Sequence, residues 1–382
     1  MNRFWLPVVL LVVLLLAGCA GGTASSEQDK GEGLAKEAAR EAGAGEDIAA
    51  GKSAGAANSA LEPIASSEQP ATATGAGEEH APGADEPAPK STGLAERQVT
   101  LWVTRDYAFE QVYGGKAALI PDDSVMDIMQ AGNLEVTTQY GGGFVESING
   151  LASGYTGKDK ETRDWFFYIN GIIASVGAVD YRPAGGDVIW WDYHDWGRAI
   201  FTPALIGAFP EPFLGGYKGD NPGTLVLAAA GYEEQGNELA ECLRHWGVEN
   251  VEVRPYCREK VAHRDRITLV VGLWEQFADQ RFWQGAQKNR QKTGLFVEFN
   301  RDYIAALNMS GEIVERHSED AGAIVATGAG MGDPTPLWLV TGLDRAGLDG
   351  AVDIITGNPG AIKQRFGAVV AGGKVIGVPV AN

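Results

Sequence analysis

Two neighbouring stretches decide the fold: DWFFYINGIIASVGAVDY, Asp164 to Tyr181, and GGDVIWWDYHDW, Gly185 to Trp196. Between Asp164 and Trp196 they hold four of the ten tryptophans of a 382-residue chain. The Asn170-Gly171 pair sits between WFFYI and IIA, the strongest short-range signal for a tight hairpin. Gly185-Gly186 then opens a second strand. Successive strand residues point to opposite faces. Trp165, Phe167 and Ile169 therefore share one face, and Phe166 and Tyr168 the other. Likewise Val188, Trp190, Asp192, His194 and Trp196 oppose Ile189, Trp191, Tyr193 and Asp195. Both faces are aromatic. A small sheet with one helix covers only one face well, so the next domain, a partner or a ligand must cover the second. Exposed aromatic patches usually mark binding sites.

Upstream, QVTLWVTRDY alternates Val99, Leu101 and Val103 with polar partners, which predicts an edge-like strand. VYGGKAAL follows, with Gly114-Gly115 read as a turn. IPDDSVMDIMQAG predicts a helix capped by Asp122, Asp123 or Ser124 and ended at Gly132, with Val125, Ile128 and Met129 as its apolar stripe. VTTQYGGGFVESING predicts two short strands around Gly141 to Gly143. Strands, one helix and more strands make a small α+β unit over residues 97–197.

The run TRDWFFYINGIIASVGAVDYRPAGGDVIWWDYHDW resembles the transcobalamin-like C-terminal domains, the DUF4430 family. The matching residues are Trp165, Phe166, Tyr168, Asn170, Gly171, Gly186, Asp187, Ile189, Trp191 and Tyr193, and IPDDSVMDIMQ is similar to that family's helix. The resemblance implies a β-grasp-like fold and, as ligand, cobalamin or a related corrinoid. A corrin ring is wide and mostly apolar with amide edges, which suits aromatic walls and a few polar groups. Phe166, Tyr168, Trp190 and Tyr193 are the expected walls, with Asn170 and His194 as polar contacts. Which sheet face meets the ligand is open at this level. His194 shares a face with Asp192. Its imidazole is either a metal ligand, cobalt of a corrinoid included, or a plain histidine beside two acids. No zinc-type spacing occurs, and no metal site is expected.

The chain starts MNRFWLPVVLLVVLLLAGCAGG. Arg3, the apolar run Leu6 to Ala17 and the small residues before Cys19 resemble a bacterial lipoprotein signal, shorter than the roughly 20 apolar residues of a spanning helix. That resemblance implies a signal peptide over residues 1–18, lipidation of Cys19, and a cell-membrane anchor on the extracytoplasmic side. Residues 19–96 are rich in Ala, Gly, Ser, Glu and Pro, and Ala20 to Glu96 contains no Phe, Tyr or Trp. A stretch with so little apolar surface predicts a disordered tether, reaching roughly 45–50 Å.

The net charge of −19 argues against nucleic acid as a partner. Cys242 and Cys257 form either a disulfide, which an extracytoplasmic site permits, or two free thiols. Residues 198–220 read as a Pro- and Gly-rich linker. Residues 221–382 alternate strands and helices and predict an α/β layered domain of unknown role with a mostly parallel sheet. The glycines of VATGAGMGDP do not follow a nucleotide-binding spacing, there is no nucleophile elbow, and no catalytic constellation emerges. The expected function is therefore that of a membrane-anchored ligand-binding lipoprotein and not an enzyme, partnered by a small molecule and by an uptake transporter or envelope protein. The alternative is an envelope-interaction protein that binds wall polymer or a partner protein.

Overall fold

The computed structural model describes residues 98–156 and 160–381. The signal peptide, Cys19 and the tether lie outside the described residues. The described residues fall in one compact unit and form a mixed α/β structure with four sheets.

The first module contains β1 (Gln98–Arg105), β2 (Glu110–Ala118), α1 (Val125–Ala131), β3 (Val136–Gln139), β4 (Phe144–Ile148), β5 (Leu151–Ala152), β6 (Arg163–Ile169), β7 (Ile172–Ile173) and β8 (Val188–Asp195). Its main sheet runs β2-β1-β8-β6-β7, with β1 and β8 parallel and the other pairs antiparallel. β3, β4 and β5 form a separate small sheet. Of the three expected caps, Ser124 starts α1. Its hydroxyl accepts from Asp127 N, and the Asp127 carboxylate accepts from Ser124 N, so two donors of the first turn are satisfied reciprocally. Asn170 and Gly171 both take positive φ, 54° and 77°, as a tight hairpin turn requires.

Two expectations are corrected here. β1 is not an edge strand, because β2 and β8 flank it on either side. Gly114-Gly115 is not a turn; both glycines lie inside β2, facing Trp102 and Leu101. The alternation of β1 looked edge-like because Trp102 and Thr104 stand between its aliphatic residues. Both are buried, Trp102 against the second domain and Thr104 against Trp190 and Asp192 of β8.

The second domain contains β9 (Thr224–Ala228), α2 (Glu233–His245), β10 (Val251–Pro255), α3 (Arg258–Ala262), β11 (Ile267–Leu273), α4 (Arg281–Lys288), α5 (Arg290–Thr293), β12 (Val297–Phe299), β13 (Ile304–Leu307), β14 (Ile313–His317), β15 (Ala321–Thr327), β16 (Leu337–Gly342), α6 (Arg345–Gly357), β17 (Gly367–Ala371) and β18 (Lys374–Val378). Its seven-stranded sheet runs β10-β9-β11-β16-β15-β17-β18. The first four strands are mutually parallel, and the last three pair antiparallel. α2 and α6 cover one face, burying Leu239, Leu243, Leu348, Val352 and Ile355. The other face packs against Trp274, Trp283, Phe299 and the first module.

Residues 198–220, expected as a linker, are a packed strap. Ala204 pairs with Ile172 as a further bridge beyond β7, Leu205 N donates to Gly171 O at 2.7 Å, and Gln364 N donates to Gly207 O at 3.0 Å. Leu205, Ile206 and Phe213 are fully buried. The glycine loop after β15 also docks on the first module: Gly332 has φ +67° and lies so close to Ser175 that a Cβ would meet its Oγ at 2.4 Å. Cys242 and Cys257 are free thiols.

The strap buries Glu211, 5% exposed, with Gly215 N donating to its Oε2 at 2.7 Å. Burial pushes its carboxyl up to about 8, against the Gly215 N–H and with Asp187 adding a further upward push. The folded state thus holds this proton above the unfolded value of 4.5. The resulting stability is fully present below pH 4.5 and is lost as pH rises through about 8. Thermal melts between about pH 5 and pH 9 should therefore fall less steeply for Glu211→Gln than for the unsubstituted chain. Parallel slopes would show that Glu211 is not held protonated.

Candidate ligand-binding face

β6 and β8 pair in register, placing Phe166 opposite Asp192, Tyr168 opposite Trp190, and Asp164 opposite His194. β1 adds Trp102 beside Trp190 and Thr104 beside Asp192. One face therefore carries Trp102, Thr104, Phe166, Tyr168, Trp190, Asp192 and His194. The opposite face carries Trp165, Phe167, Ile169, Ile189, Trp191 and Tyr193, packed with α1 and the β3–β5 sheet.

The first face is not open. Phe366 of the second domain stands edge-on to Tyr168, Trp190 and His194, with centroids at 6.0, 5.5 and 5.8 Å. Phe296 and Phe366 both pack edge-on to Tyr107. His194 lies between Tyr107 at 4.4 Å and Phe166 at 4.5 Å, stacked on both.

Asp192, fully buried, is the polar centre. Its Oδ1 accepts from Tyr107 N at 3.0 Å and contacts His194 Nδ1 at 2.7 Å; its Oδ2 accepts from Ala108 N at 2.9 Å and from the Thr104 hydroxyl. Trp190 Nε1 donates to Thr104 Oγ1 at 2.7 Å. The two backbone donors belong to a turn, Asp106 to Ala108, in which three consecutive non-glycine residues have φ of 54°, 61° and 65°. Left-handed backbone costs an L-residue roughly 1–2 kcal/mol each. Two buried hydrogen bonds to a carboxylate offset that cost.

The six expected contact residues are thus placed as follows. Tyr168, Trp190 and His194 are interior at the junction, and Phe166 is half-buried beside them. Burial raises the Tyr168 phenol well above its ordinary value. Tyr193 lies on the other face, buried, with its hydroxyl donating to Ala152 O at 3.0 Å. Asn170 is a corner brace: its Nδ2 donates to Asp187 Oδ1 and Gly216 O, and its Oδ1 accepts from Val188 N. The structure does not bring the six together as one wall. Of the three covers that the sequence leaves open for the second aromatic face, the second domain is the one present, with Phe296 and Phe366 packed on it. Among the described residues no group of three or more His, Cys, Asp or Glu side chains gathers as a metal site.

The exposed aromatics of the first module lie elsewhere. Tyr140, 75% exposed, sits on the Gly141–Gly143 loop beside Phe144, and Tyr155, 40% exposed, packs beside Trp196. The triple glycine that separates the two short strands in the sequence is the loop that presents Tyr140.

The model of the family described as "Domain of unknown function (DUF4430)" matches residues 122–195. The chain carries a DUF4430 domain there. This domain covers α1 through β8, so it includes both the aromatic pair of strands and the Tyr140 loop. Among solved structures, haptocorrin in complex with Cbi is similar at 13% identity and a TM-score of 0.21, over 26% of this chain and 25% of that one. The chain therefore spans about a quarter of haptocorrin's length. A protein from Ruminococcus gnavus ATCC 29149, described as a candidate metal-binding protein, is similar at 13% identity and a TM-score of 0.21, over 26% of this chain and 98% of that one. No curated protein matches the chain.

Asp192→Asn should test the junction. The amide keeps one acceptor oxygen and turns its NH2 toward donors, leaving at least one buried donor unpaired. Urea unfolding should show a loss of about 1–3 kcal/mol for each donor so stranded. Unchanged stability would remove Asp192 from the centre of the junction.

Proposed function

We propose that the chain is a lipid-anchored extracytoplasmic binding protein without catalytic activity. In this reading its DUF4430 module is β-grasp-like, and the α/β domain is the rigid base on which it is mounted. The observation that carries the reading is the use made of the junction residues. Asp192, His194, Thr104 and Trp190 engage one another in a buried core, so the acid–base groups of this region serve cohesion. What the module offers to a partner is its rim, where Tyr140 and Tyr155 are exposed.

The leading ligand is cobalamin or a related corrinoid, held against the rim aromatics. Support comes from the resemblance carried by Trp165 to Tyr193 and from the aromatic, glycine-rich character of the rim, which suits a wide, mostly apolar ring. A second reading is favoured by one specific feature. β2 is an open edge strand, exposed along most of its nine residues. Such an edge accepts an added strand from a protein partner, in keeping with an uptake transporter or envelope protein. The anchor rests on Arg3, the apolar run and the small residues before Cys19.

Two measurements test this. Titration of the detergent-solubilised full chain with cyanocobalamin and cobinamide, followed by corrin absorbance, should give saturable binding. Tyr140→Ala should weaken it by about tenfold, a change of about 1.4 kcal/mol. Absence of binding to both corrinoids would discard the corrinoid ligand and leave the protein-partner reading. Mass spectrometry of the membrane-extracted chain should find Cys19 as an acylated first residue; an intact residue 1–18 segment would overturn the anchor.

A further inference from the structure

The covered aromatic face runs out at its β2 edge into a groove of about 260 Å³, lined by Thr100, Trp102, Gln111, Gly114, Gly115, Lys116 and Lys363. Six of these come from the first module, and Lys363 comes from the second domain. Gly114 stands opposite Trp102 and Lys116 opposite Thr100 in the β1–β2 register. A larger residue at Gly114 would stand on the same face as Trp102, so the glycine leaves the groove open.

Both ammonium groups are oriented. Lys116 Nζ donates to Thr100 Oγ1 at 2.9 Å, and Lys363 Nζ sits 5.3 Å from the centroid of the Trp102 ring. The backbone of Lys363 is fixed between Ile362 and Phe366, both buried. Among the described residues neither lysine is paired with a carboxylate, in a chain with 50 acidic and 31 basic residues. Two like charges that share a groove repel one another, and an anion between them turns that repulsion into attraction. Trp102 supplies an apolar wall, and Gln111 an amide at the rim.

We propose that this seam groove is an oxyanion site for a small organic carboxylate, with the carboxylate between Lys116 and Lys363 and the apolar body against Trp102. It uses none of the residues of the corrinoid reading and stands or falls separately. Because one lysine comes from each domain, the site is complete only when the junction is closed. Lysine ammonium groups are point charges and do not demand the planar fork geometry of arginine, so phosphate is the competing anion, and a bound apolar body is what separates the two.

Calorimetric titration of the full chain at low ionic strength with benzoate, acetate and inorganic phosphate tests the proposal. Benzoate should bind saturably at one site, more tightly than acetate and phosphate, and weaken as salt rises. The Lys116→Gln, Lys363→Gln double variant should lose that binding by about tenfold or more, while Lys288→Gln, outside the groove, keeps it. Both lysines are exposed, so the double variant should melt like the unsubstituted chain. As an independent readout, benzoate should shift the Trp102 indole N–H resonance in the unsubstituted chain. Phosphate binding more tightly than benzoate would overturn the carboxylate assignment. Absence of saturable binding, or benzoate binding that survives in the double variant, would overturn the site.

Discussion

The Asp192 carboxylate is the constraint on which the rest of the molecule depends. It is removed from water entirely, and a buried carboxylate is tolerable only with its oxygens occupied. Its four contacts draw on different parts of the first module: a hydroxyl from β1, two backbone N–H groups from the turn after β1, and an imidazole from its own strand. The turn residues that supply the N–H groups are in left-handed conformation, which presents consecutive donors to one acceptor. Tyr107 on that turn then stacks on His194 and meets Phe296 and Phe366. One carboxylate thereby fixes a strained turn, orients a histidine and shapes the surface that the second domain covers.

Around this polar centre the apolar layer follows from the sheet's two aromatic faces. α1 and the small sheet cover one of them. The other would expose Trp102, Tyr168 and Trp190, each large enough that burial contributes on the order of a few kcal/mol. The second domain meets it with its own aromatic residues, and the strap between the domains adds backbone pairing to β7. Edge-to-face contacts dominate where Phe366 enters, the geometry preferred when the edge of one ring meets the face of another. The seam is therefore packed like a domain interior.

Much of the local structure was legible in the sequence. The Asn170-Gly171 turn, the cap and stop of α1, and the strands around Gly141 to Gly143 depend on short-range chemistry and appear where the residues place them. The alternation of strands and helices over residues 221–382 also appears where apolar patterning places it. What pattern reading did not supply is pairing. β15 looks like its parallel neighbours because burial on both faces makes all of them apolar, whereas the antiparallel hairpin of β17 and β18 is signalled by Gly372-Gly373. The sheet of β12, β13 and β14 leaves no clear pattern in the sequence, its strands being only three to five residues long. Helical pattern continues from Arg281 to Thr293, but the backbone breaks at Asn289, where φ and ψ leave the helical range.

The candidate site shows the same boundary between local and long-range information. Period-two alternation correctly separates Trp190 and His194 from Trp191 and Tyr193. It does not say what covers either set, because Phe296 and Phe366 lie more than a hundred residues downstream. An aromatic face meant for a flat ligand and one meant for another domain have the same composition. They differ in their polar residues: a ligand site leaves donors and acceptors unpaired for its guest, whereas a junction pairs them internally. Asp192, satisfied by the turn after β1, and Asn170, bonded to Asp187, Val188 and Gly216, are the second kind; the Tyr168 hydroxyl, buried without a partner among the described residues, is the exception. That distinction moves the search for partners from the tryptophan-rich strands to the module's rim and edge. There, aromatic and basic side chains remain turned toward solvent.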